Sequence, residues 1–168
     1  FIDGLAGMAH GLFATLIVGT IIQQIGNLVG GGAGDMIFLI GKVAAALTGA
    51  GIGVGVACRF KESPLVVVSA AITGMIGAFA SKLLAGTVLV EGSIVLTGPG
   101  EPLGAFLAAY VGIELGHLVS GKTRVDILVT PLVSIGTGAA AGLVLGPPIS
   151  GFMTALGEII NWGTEQQP

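Results

Sequence analysis

The chain reads as long apolar runs separated by short polar breaks. Leu5–Val29 is mostly apolar, with Gln23, Gln24 and Asn27 only near its end, and Gly30-Gly31-Gly32-Ala33-Gly34-Asp35 interrupts it. Met36–Cys58 follows with one charge, Lys42, placed to snorkel toward the end of the run, before the polar turn Arg59, Lys61, Glu62 and Ser63. Leu65–Ala80, Leu103–Val119 and Ile127–Leu145 complete the set, the last stopped by Gly146-Pro147-Pro148. A helix needs about 20 mostly apolar residues to cross the hydrocarbon of a bilayer. The pattern therefore predicts an all-α membrane protein with about five transmembrane helices.

Residues 83–102 do not fit a sixth span, because their apolar pieces are short, β-branched and divided by Glu91. The basic loops Arg59/Lys61 and Lys122/Arg124 belong on the same, cytoplasmic side. An even number of crossings then separates them, and the spans on either side of 83–102 already supply two. Residues 83–102 are expected to enter and leave on one side as a re-entrant segment, with the N-terminus inside. Beyond Pro148, Ile149, Phe152, Met153, Leu156 and Ile160 share a helical face, with Trp162 close by. That spacing predicts a short interfacial helix near 149–162, or a connector to a further span.

Composition strengthens the membrane reading. Only 9% of the 168 residues are charged, against roughly 25% in soluble domains. Hydrophobic residues make up 53%, and the mean hydropathy is +1.00. A net charge of −3 without a basic cluster argues against nucleic acid as a partner, and a lone Cys58 against a disulfide scaffold. The chain starts with Phe1 and ends at Gln166-Gln167-Pro168, so it is expected to be part of a longer protein. An odd number of crossings is what one half of an inverted-repeat transporter needs, the second half then being outside these residues.

Glycine supplies 31 positions, with pairs four apart at Gly7/Gly11, Gly49/Gly53, Gly51/Gly55, Gly112/Gly116 and Gly138/Gly142. Helices in lipid associate through close backbone contact, so these pairs predict tight packing within the bundle.

The chemistry is sparse. Thr97-Gly98-Pro99-Gly100-Glu101-Pro102 must be irregular backbone, with Pro102 suited to a first helical turn and Glu101 near the positive end of the helix dipole. Free backbone N–H groups at Gly98 and Gly100 together with the Glu101 carboxylate could bind a polar solute; the alternative is a solvent-exposed capping turn. Glu114 and His117 lie one turn apart and could line a solute path or relay protons, or simply be hydrated at the end of their span. His10 shares a face with Asp3 and Gly7 and could point into the bundle, or be satisfied by a nearby carbonyl; Asp35 is placed to cap the second span. The sequence has no phosphate-binding loop, dinucleotide fingerprint or zinc motif. No cofactor or metal is expected, and no catalytic activity of the chain alone.

Three segments, GLAGMAHGLFATLIVGTIIQQIG, LTGPGEPLGAFLAAYVGIELG and GPPISGFMTALGEIINW, resemble the IIC membrane components of the bacterial phosphotransferase system. More narrowly they are similar to the family of putative sugar-transporter IIC subunits and perfringolysin-regulator-like proteins. The resemblance covers all 168 residues as the N-terminal half of such a domain. It implies a multi-pass protein of the cell membrane that translocates a sugar or similar polar solute by alternating access. It also implies a IIB protein that would carry any phosphoryl transfer, and a homodimer. Gly100-Glu101-Pro102 resembles the Glu-Pro substrate loop of other IIC superfamilies, which implies Glu101 as a sugar ligand. A membrane sensor or regulator that binds without transport, and a small-solute channel, are the alternative functions.

Overall fold

The computed structural model describes residues 1–166. Helix α1 (Ile2–Val29) contains one π-helical turn at Phe13–Ile17. Helices α2 (Gly31–Ala46) and α3 (Thr48–Arg59) form a pair bent by 52° at Leu47. Helix α4 (Pro64–Ala78) breaks at Phe79 into the short α5 (Ala80–Leu84). A two-stranded hairpin, β1 (Leu89–Val90) and β2 (Ser93–Ile94), precedes α6 (Pro102–Val119) and the long α7 (Asp126–Gln166). The architecture is all-α, as the apolar runs predict. Three helices are long and apolar enough to span a membrane, and the bent pair α2–α3 makes a fourth.

Packing follows the glycines. Helix α3 carries two glycine pairs on opposite faces. A Cβ at Gly55 would strike the carbonyl of Gly7 on α1, and one at Gly53 would strike that of Ala70 on α4. A Cβ on Gly49 would lie 2.7 Å from Gly74 O. Helix α3 is therefore wedged between α1 and α4 at backbone contact, the mode that lipid favours. On the far side of α4, Gly77 meets Gly104 of α6, and Gly138 of α7 meets Thr73 and Ala108. Buried Ile52, Val56, Val66, Phe79, Phe106 and Ile113 fill the remaining space. The buried hydroxyls Thr48, Ser69 and Thr73 bond back to carbonyls three or four residues earlier, so burial leaves them satisfied.

Four local expectations are corrected. The second span is not straight: it breaks at Leu47, opposite the π-turn of α1, where Thr15 Oγ1 lies 3.4 Å from Thr48 Oγ1. Lys42 is therefore not near the end of its span but five residues from a bend in the middle of one. Gly30 and Gly31, with φ of +65° and +63°, reverse the chain, so α2 starts at Gly31 and Asp35 lies inside it instead of capping it. Gly146-Pro147-Pro148 does not stop α7, and 149–162 is not a separate helix. Proline removes backbone donors but keeps a helical φ, and no residue there adopts the left-handed conformation of a helix C-cap. Fourth, His10 is exposed and does not enter the bundle.

Residues 83–102 connect the end of α4 to the start of α6 at one end of the bundle. They do so as α5, an exposed hairpin with Glu91 and Gly92 in the left-handed conformation at its tip, and an irregular loop. This is the backbone of a tight two-residue hairpin turn.

Candidate functional site

Helices α4 and α6 are antiparallel, and their ends define two poles. At one pole Ser63 Oγ and Ser120 Oγ lie 2.9 Å apart and His117 Nδ1 lies 2.9 Å from Glu62 Oε2. Arg59 Nε pairs with Asp3 Oδ1 at 3.3 Å at this same pole. Both basic loops therefore sit together with the start of α1, which agrees with the even crossing count.

At the other pole the chain folds residues 97–101 onto the end of α4. Glu101 N–H donates to Ala78 O at 2.8 Å, and Glu101 O accepts from Ala105 N–H at 3.0 Å. The Glu101 backbone is thus tied at both ends, while its carboxylate makes no hydrogen bond among the described residues and no cap to α6. Gly100 has φ +72°, and a Cβ there would lie 2.7 Å from both Ala78 O and Ala78 Cβ. Only glycine fits this close approach in this conformation. Pro102 occupies the first turn of α6, as expected.

These constraints leave a cleft of about 350 Å³ lined by Ser81, Lys82, Thr97 and the Gly98–Glu101 loop. Lys82 Nζ donates to Thr97 O at 3.2 Å and rests 5.5 Å from the centre of the Phe79 ring. Ser81 Oγ is buried without a hydrogen-bond partner among the described residues. Across Gly98-Pro99 a second cleft of about 250 Å³ opens toward the bend between α2 and α3, lined by Thr20, Gln23 and Lys42.

Of the residues singled out from sequence, Gly98, Gly100 and Glu101 come together. Glu114 and His117 do not join them. His117 lies sixteen residues along α6 from Glu101, about 24 Å by helical rise, and its partner is Glu62, not Glu114. Glu114 is exposed on the outer face of α6. Sequence reasoning missed Ser81, Lys82, Gln23 and Lys42 as lining residues. The one available signal was that Lys42 and Lys82 are lone cations within or beside apolar runs.

The comparison with known families now decides the identity. The family described as "Phosphotransferase system, EIIC" matches residues 2–168. The chain belongs to the phosphotransferase-system EIIC family. No curated protein and no solved structure matches the chain. EIIC proteins are integral membrane components of a transport system, which agrees with the apolar helices. In this EIIC chain no cluster of three metal-ligating side chains occurs among the described residues.

Proposed function

We propose that this EIIC chain translocates a sugar or similar polar solute by alternating access in the cell membrane, with the 97–101 loop as its solute site. The observation that carries the reading is Glu101, whose carboxylate makes no hydrogen bond among the described residues and whose backbone is fixed at both ends beside a cleft also lined by Ser81, Lys82 and Thr97. A carboxylate with open acceptor positions suits solute hydroxyls, and the neighbouring Lys82 adds donors. Gly98 and Gly100 let the backbone approach the solute without side chains in the way. Any phosphoryl transfer would use a IIB partner, as the family implies.

The 168 residues are proposed to form one half of the EIIC domain, in a multi-pass protein that works as a homodimer. Residues 18–46 support this: they pack mainly on each other and leave Ile21, Ile25, Leu28, Met36, Leu39 and Val43 exposed. Glu114 and His117 lie outside the proposed site. The His117–Glu62 contact instead closes the opposite pole.

The test is a thermal-shift screen of the full-length protein in detergent against sugars, polyols and sugar acids, repeated with Glu101→Gln. A stabilising solute whose effect disappears in Glu101→Gln is the expected result. A solute effect that survives the substitution moves the site elsewhere, and the absence of any effect on folded protein favours a regulator over a transporter.

A further inference from the structure

The two clefts that meet at Gly98-Pro99 differ in charge. In the first, Lys82 and Glu101 offset each other, and Lys82 is already engaged by Thr97 O and the Phe79 ring. That cleft suits neutral hydroxyls. The second holds Lys42 with Gln23 and Thr20 and no carboxylate. Among the described residues Lys42 makes no ion pair or hydrogen bond; its ammonium lies 5.6 Å from the centre of the Phe38 ring. A lysine in the middle of an apolar helix pair is costly to keep and ordinarily faces a partner or a wet cavity. Here the cavity is present, and no carboxylate of the chain lines it.

We infer that the solute carries one carboxylate, bound by Lys42 with Gln23, while its hydroxyls reach Glu101 across Gly98-Pro99. The solute class is a polyhydroxy carboxylate, that is, an aldonic or uronic acid. One ammonium and one amide match a singly charged carboxylate, since the Thr20 hydroxyl is engaged by Leu16 O; a phosphate dianion calls for more cationic donors than the cleft provides. This inference rests on the proposed solute site and names what that site selects.

The experiment compares D-gluconate with D-glucitol, which share a six-carbon polyol chain and differ in one carboxylate. Binding to the full-length protein in detergent is measured by calorimetry, together with D-glucuronate against D-glucose and with glucose 6-phosphate. An acid in either pair is expected to bind at least tenfold tighter than its neutral counterpart. Lys42→Met should bring that ratio close to one, and Lys42→Arg should keep most of it. Should Lys42→Met fail to fold, Lys42→Gln gives the same reading. Glu101→Gln is expected to weaken both members of the pair, leaving the ratio in place.

Neutral solutes binding as tightly as the acids would overturn the inference while leaving the solute site standing. So would an acid preference that survives Lys42→Met, or glucose 6-phosphate binding tighter than either acid. No binding by any of the solutes to folded protein would remove the sugar-site reading, and this inference with it.

Discussion

The two poles of the bundle use similar residues to opposite ends. At the pole of Ser63 and Ser120, polar groups find partners within the chain: Glu62 with His117, Asp3 with Arg59, and Asp126 with the Gly121 N–H and Thr130. At the pole of Gly98–Glu101, polar groups are left over: the Glu101 carboxylate, the Ser81 hydroxyl and the Lys42 ammonium. Helix α6 runs between them, so one helix begins at an open site and ends at a closed joint. Unsatisfied polar groups around a concavity call for an explanation. Among the described residues three such groups gather around the clefts of one pole, where a ligand explains them better than loose packing; the other pole leaves the buried Ser134 hydroxyl, beside Gly116, without a partner.

The comparison is broken most severely at Gly100. Its φ of +72° is unfavourable for any side chain, and its Cβ would press on Ala78. Gly100→Val is expected to cost about 3 kcal/mol, from left-handed strain and overpacking together. A melting experiment in detergent should show the loss, and any solute-induced stabilisation should vanish with it. A Gly100→Val protein that melts like the parent would mean that the loop is not pinned to α4.

How much of this was legible in the sequence depends on the distance over which each signal acts. The apolar runs were legible because hydropathy is a local sum, and the glycine pairs because contact in lipid requires them. The irregular loop was legible from two prolines and two glycines within six residues. The bend at Leu47 was not, since neither Leu47 nor Thr48 is a helix breaker; it arises where α1 widens into its π-turn and α2–α3 follows. Pro147-Pro148 gave the reverse error, a breaker signal inside a helix with no cap to end it. Glu114 and His117 show that helical spacing places residues on one face without saying which way the face points. Lys42 needed tertiary information, because only the fold brings α1, α2 and the 97–101 loop to a common cleft.

A smaller effect probes the closed pole. The Glu62 side chain is only 9% exposed, whereas that of His117 is 66% exposed. Glu62→Ala removes the contact and leaves an imidazole that water can solvate, so the cost should be about 1 kcal/mol. Ser120→Ala, which removes the hydroxyl contact to Ser63, should cost somewhat less. Both variants are expected to lower the melting temperature while leaving solute-induced stabilisation at the other pole intact. A loss of the solute response in Glu62→Ala would show that the poles are coupled, as alternating access requires of gates but not of a static joint.

The smallest effect is expected at Arg59. Its side chain is 49% exposed and that of Asp3 is 68% exposed, and the single contact is 3.3 Å. Such a pair gains little Coulomb energy in water and loses side-chain entropy, so Arg59→Ala should cost less than about 0.5 kcal/mol. Its value lies in orientation more than in stability. Arg59 and Lys61 share this pole with Lys122 and Arg124, and positive charge marks the cytoplasmic face. Replacing all four with Gln should leave melting nearly unchanged yet erode the fixed orientation, as read by the labelling of single cysteines from either side of the membrane in a Cys58→Ser background. If the orientation survives all four substitutions, these loops do not set it, and the cytoplasmic assignment of the closed pole falls with them.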